Sequence, residues 1–128
     1  MNRVSLGPEV LEDLRQLPSD ELRLIALRWL RRIERAPELG QPLDRRISGD
    51  LSACRKIYFG IGDEPHRLNF IPRRLGGDGP RYRIVYRPSA GGKEIEILEV
   101  IAIGPKYGDA GVYERAVRRL ERDDPRSG

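Results

Sequence analysis

Arg81, Arg83 and Arg87 fall at alternating positions of the run Arg81-Tyr82-Arg83-Ile84-Val85-Tyr86-Arg87. Alternate side chains of a strand share a face. The spacing therefore projects parallel guanidinium forks from one rigid surface, an arrangement suited to bidentate contact with phosphate. A second run, Arg55-Lys56-Ile57-Tyr58-Phe59, sets Lys56 and Tyr58 on one face and Ile57 and Phe59 on the other. A lysine and a phenol on a neighbouring strand supply a proton carrier and a stacking surface. Such a set could cut RNA without a metal. The ribose 2′-OH attacks the adjacent phosphorus, and the reaction needs a base, cations for the developing phosphorane charge and an acid for the leaving 5′-oxygen. The same residues could equally form a basic face that docks an acidic partner.

Other motifs carry less. Gly60-Ile61-Gly62 begins like a phosphate-binding loop, but Asp63-Glu64-Pro65 follow, with no third glycine and no helix start. Cys54 is the only cysteine and His66 the only histidine. Together they exclude an intramolecular disulfide framework and a multi-cysteine zinc site. Cys54 lies beside Arg55 and Lys56, yet with no histidine nearby in sequence it reads as an inert strand-edge residue. His66 reads as a surface histidine in a loop-like stretch.

The elements that must position these residues follow from periodicity. Val4 and Leu6 belong to a short opening strand. Pro8 is placed as a first helical residue, and Val10, Leu11, Leu14 and Leu17 recur at helical spacing up to Pro18. Ser19 or Asp20 caps a second helix, striped by Leu22, Ile25, Ala26, Trp29 and Ile33 and fading at Arg35-Ala36-Pro37. A polar linker to about Ser52 is expected next. Strands then follow at Arg55–Phe59, Arg81–Arg87 and Glu94–Ile103, with an edge strand around Arg67–Phe70 and a bulge near Leu98-Glu99. A last helix, capped near Asp109, carries Val112, Tyr113, Ala116, Val117 and Leu120. The tail 122–128 is expected to fray.

The expected fold is α+β. An N-terminal helical hairpin and a C-terminal helix pack on one face of a four- to five-stranded, mainly antiparallel sheet. The helices cover Ile57, Phe59, Ile84 and Tyr86 and leave the Lys56, Tyr58, Arg83 and Arg87 face open.

At 128 residues the chain is long enough for one domain spanning 1–128. It has no run approaching the roughly 18 apolar residues of a membrane span, and its start offers no apolar secretory signal. A cytoplasmic protein with no metal and no cofactor is expected. The net charge of +4 is unevenly spread. Residues 41–93 hold eleven basic and five acidic side chains, whereas residues 1–40 hold seven of each. That concentration fits either a phosphate-bearing partner or a solvated arginine-rich surface.

Several segments in order resemble the RelE/ParE superfamily of bacterial type II toxin–antitoxin toxins. They are Gly49-Asp50-Leu51, Cys54-Arg55-Lys56-Ile57, Tyr82-Arg83-Ile84-Val85-Tyr86-Arg87, Ile103-Gly104-Pro105-Lys106 and Val112 through Leu120. The likeness runs from about residue 45 onward and points to the RelE-like branch. It implies a ribosome-dependent mRNA endonuclease, or mRNA interferase, that inhibits translation, with the ribosome, mRNA and a cognate antitoxin as partners. The residues it implies as catalytic are Lys56, Arg83 for the phosphate, Lys106 for the leaving group and Tyr113 for orienting or stacking on the nucleotide. Arg55, Tyr58, Arg81 and Arg87 would bind RNA. Relatives with two lysines on the earlier strand have the second where this chain has Tyr58, and a phenol is a poor base at pH 7. The alternatives are a non-catalytic ParE-like toxin acting on a protein such as DNA gyrase, and a diverged member without toxicity.

Overall fold

The structure is a computed structural model that describes residues 2–46, 49–60, 82–89, 96–105 and 111–123. Among these residues the chain runs β1 (Asn2–Leu6), α1 (Pro8–Gln16), α2 (Asp20–Arg35), β2 (Gln41–Pro42), β3 (Arg45–Arg46) and β4 (Gly49–Asp50). It continues through β5 (Arg55–Phe59), β6 (Tyr82–Ser89) and β7 (Glu96–Pro105) to α3 (Val112–Asp123).

The first helices start and stop for local reasons. Pro8 opens α1, and the Leu17 N–H closes it on the Leu14 carbonyl. Ser19 caps α2, its hydroxyl accepting the Leu22 N–H at 3.2 Å. Pro37 follows the last turn of α2 and opens a short 3-10 turn, Pro37–Leu39.

A five-stranded sheet has the order β1-β7-β6-β5-β2. It is mixed, because β1 runs parallel to β7 while the other pairs are antiparallel. β3 and β4 pair separately as a two-stranded ribbon. The expected polar linker therefore contains three two-residue strands, too short for alternation to reveal. The edge strand expected around Arg67–Phe70, the Asp109 cap and residues 124–128 of the tail lie outside the described residues.

Two apolar clusters, one on each side of the sheet, hold the fold together. Val10 and Leu14 of α1 and the stripe of α2 pack on Ile57, Phe59, Ile84, Tyr86, Leu98, Val100 and Ile103. The helices are placed by the sheet more than by each other: α1 lies chiefly on β7, and α2 on β1. On the opposite side Val112, Tyr113, Ala116 and Val117 of α3 pack with Val85, Ile101, Ala102, Leu43, Leu51 and Cys54.

The one-face arrangement of helices expected from the sequence is thus corrected. Val85 and Ala102 are Cα partners and make an apolar patch between the charged residues of that side. The amphipathic stripe of α3 is buried by covering it. β7 reinforces the patch with a register shift opposite Val85 and Tyr86, which pair with Ala102 and Val100 and leave Ile101 without a partner on β6. Ile101 and Ala102 both join the α3 cluster as a result. The bulge lies two residues beyond the expected Leu98-Glu99.

Candidate functional site

β5 and β6 pair with Lys56 opposite Val85 and Tyr58 opposite Arg83. Residues opposite one another in a sheet share a face, so Lys56, Tyr58 and Arg83 meet on the α3 side. The Tyr58 ring is their common contact. The Arg83 Cζ sits 4.0 Å from its centroid and the Lys56 Nζ 4.8 Å, both within the range of a cation–π attraction. Arg83 also donates through Nη1 to the Tyr82 carbonyl at 3.0 Å, and only 4% of its surface is exposed. Lys56 and Tyr58 are half-buried. The face expected to be open therefore holds its central arginine beneath the surface, with Lys56 and Tyr58 at the rim.

The remaining sequence candidates divide. Tyr113 is buried in the apolar cluster that contains Val85, so its ring is part of the packing that seats α3. Arg87 lies on the Arg83 side of β6 but is paired with Glu99 across the strands at 3.3 Å. Arg55 faces the other way, in line with Ile57 and Phe59. Its Nη1 donates to the carbonyls of Gly40 at 2.6 Å and Glu38 at 3.3 Å, which makes it a clamp on the turn before β2. Arg81 and Lys106 lie outside the described residues. Sequence alternation groups Lys56, Tyr58, Arg83 and Arg87 correctly, and it assigns Arg55 to the opposite side.

Arg115 is the residue that sequence reasoning missed. Gly104 is the Cα partner of Arg83, and a Cβ there would strike Nη2 of Arg115. The Arg115 guanidinium consequently crosses β7 next to the Arg83 position. It donates to the Ile103 carbonyl at 3.0 Å and to Asp13 at 2.6 Å. Asp13, itself 5% exposed, also accepts the Ile103 N–H at 3.0 Å and the Arg119 guanidinium at 2.7 and 3.0 Å. The hydrogen bonds that Arg119 donates to Asp13 raise its pKa further and keep it charged. The one sequence signal for this cluster was Asp13 on the side of α1 that carries Val10 and Leu14.

Burial pushes the Cys54 thiol up to about 11, against the lowering effect of nearby Arg87. It is therefore a thiol, not a thiolate, at neutral pH. Among the described residues no group of three or more His, Cys, Asp and Glu side chains is placed to hold a metal ion, and no helix is long and apolar enough to cross a membrane. Comparisons with protein-family models, curated proteins and solved structures return no match.

Chemically, the cluster can hold an anion at its rim. Lys56 supplies an ammonium at the rim, Arg83 a positive potential from below, and Tyr58 a ring that both cations contact.

Proposed function

We propose that the chain is the toxin of a type II toxin–antitoxin system, with a RelE-like arrangement, acting as an mRNA endonuclease on the ribosome. The observation that carries this reading is the convergence of Lys56, Arg83 and Tyr58 on one sheet face, joined to the segment order that resembles the family. In the proposed reaction the 2′-oxygen forms a bond to phosphorus and the bond from phosphorus to the 5′-oxygen breaks. The 2′-OH proton passes to a base, and an acid returns a proton to the leaving oxygen. Arg83 stabilises the phosphorane, with Tyr58 fixing its guanidinium. Lys56 approaches the phosphate from the rim. By resemblance, Lys106 protonates the leaving group; Tyr113, which the resemblance gives to the nucleotide, packs in the α3 cluster and acts by seating that helix. A cognate antitoxin would neutralise the basic face with an acidic segment.

A cell-free translation reaction tests the proposal. Wild-type chain should stop translation and shorten the message. Arg83→Ala should slow cleavage by roughly 10²–10⁴-fold, the usual contribution of one such group. Intact message at stoichiometric chain rejects the reading.

The burial of Arg83 and the pairing of Arg87 with Glu99 favour a second reading, a non-catalytic ParE-like toxin that binds a protein. Inhibition of gyrase supercoiling that survives both Lys56→Ala and Arg83→Ala would select it.

A further inference from the structure

The outer side of α2 carries Arg28, Arg31, Arg32 and Arg35 at i, i+3, i+4 and i+7, which is one helical stripe. Arg28, Arg31 and Arg35 are exposed and Arg32 is half-buried. Six described arginines elsewhere are matched to acids: Arg15 with Glu12, Arg23 with Asp20, Arg87 with Glu99, Arg115 and Arg119 with Asp13, and Arg122 with Glu9. Among the described residues no carboxylate pairs with any of the four on α2. Glu34, the acid nearest in sequence, accepts the Val4 N–H of β1 at 3.1 Å instead. Arg32 lies over the Trp29 ring at 5.9 Å, leaving the other three to solvent.

We propose that this ridge is a docking surface for the phosphodiester backbone of nucleic acid, separate from the sheet face. Unmatched guanidinium groups repel one another, and a polyanion relieves that repulsion. Arg28 to Arg35 spans about 10 Å of helix, a length over which one nucleic-acid strand advances by about three phosphates. Each planar fork fits two phosphate oxygens. An acidic helix would need apolar anchors among the cations. The exposed leucines of α2, Leu24 and Leu27, lie on the same face one turn before Arg28 and Arg31, at one end of the ridge and not among its cations, and the two turns from Arg28 to Arg35 offer only guanidinium outward. α2 packs on the opposite side of the sheet from Lys56, Tyr58 and Arg83, so the ridge can grip one strand while the sheet face meets another.

The test is fluorescence anisotropy of the full chain with a 16-base-pair RNA duplex, 2′-O-methylated so that it cannot be cut, and a DNA duplex of the same sequence, across a salt series. The triple substitution R28Q/R31Q/R35Q should weaken binding by ~10-fold or more and flatten the log–log salt slope by roughly 2–3, near 0.9 for each lost phosphate contact. R28Q/R35Q should fall between the triple variant and wild type, and both should exceed the effect of R118Q on α3. Glutamine keeps the helix propensity close to that of arginine, and thermal unfolding of both variants checks the fold. Loss on both duplexes supports docking to the backbone in general, and loss on RNA alone supports docking to A-form geometry. The proposal is overturned if the triple variant keeps the wild-type constant and slope. It is equally overturned if poly-glutamate outcompetes both duplexes at equal ionic strength. Because the RNA is uncleavable, the result is independent of whether the sheet face is a nuclease.

Discussion

At the scale of the residue, Tyr58 organises the candidate site, since both Lys56 and Arg83 lie against its ring. Tyr58→Phe keeps that surface and should leave RNA cleavage within a few-fold of wild type. Tyr58→Ala removes it and should lower cleavage by roughly tenfold or more, in line with the ~1–2 kcal/mol of a partly desolvated cation–π contact. Single-turnover rates of the two variants check this. Cys54 makes an independent prediction. Burial raises its pKa in the fold from 9.0 to about 11, so folding favours the protonated thiol. That stabilisation is complete below about pH 9 and is lost as pH rises toward 11. Urea unfolding between pH 8 and 10.5 should show wild type losing on the order of 2 kcal/mol more than Cys54→Ala.

The grouping of Lys56, Tyr58, Arg83 and Arg87 was legible in the sequence, because alternation needs only neighbouring residues. Arg55 was assigned to RNA by its charge, against its own alternation with Ile57 and Phe59. The burial of Arg83 depends on what packs over its face, which no local pattern on β6 encodes.

At the scale of the element, the free edge of β7 explains the buried charges. β1 pairs with β7 only from Glu96 to Val100. Beyond it, the Ile103 N–H is taken by Asp13, the Ile103 carbonyl by Arg115 and the Ile101 carbonyl by Arg119. Side chains of α1 and α3 thus stand in for a missing strand and tie the two helices across the sheet edge. Asp13→Ala would strand two part-buried guanidinium groups and should destabilise the fold by roughly 3–5 kcal/mol, read from chemical denaturation. Gly104→Ala should displace Arg115 from the same cluster and lower stability in the same assay. The turn before β2 is held in a comparable way. Tyr86 donates to the Pro37 carbonyl at 2.5 Å and accepts the Gly40 N–H at 2.9 Å, so Tyr86→Phe should cost about 1–2 kcal/mol.

The major strands and helices were legible from periodicity. The side of the sheet on which α3 lies was not, because an amphipathic stripe states that a helix is buried but not on which face. The register shift opposite Val85 and Tyr86, which brings Ile101 and Ala102 together, is likewise a product of strand pairing.

At the scale of the molecule, charge is distributed by side rather than by segment. Residues 1–40 balance seven basic against seven acidic side chains, and averaging along the chain conceals the ridge on α2. Of those acids, Glu12, Asp20 and Glu9 pair with Arg15, Arg23 and Arg122, Asp13 holds Arg115 and Arg119, and Glu34 accepts the Val4 N–H. The arginines from Arg28 to Arg35 remain. Lys56 on the β5–β6 face and the α2 ridge therefore present cations on opposite sides of the sheet.

The central claim is that the cluster on β5 and β6 helps the ribose cleave its own strand. The chemistry at the cut end tests it most directly. Programmed ribosomes incubated with the chain should yield an upstream mRNA fragment ending in a 2′,3′-cyclic phosphate, and a single 2′-deoxy substitution at the cleaved position should abolish the cut. A fragment ending in a 3′-hydroxyl, or a deoxy-substituted message cut at the wild-type rate, would contradict the account.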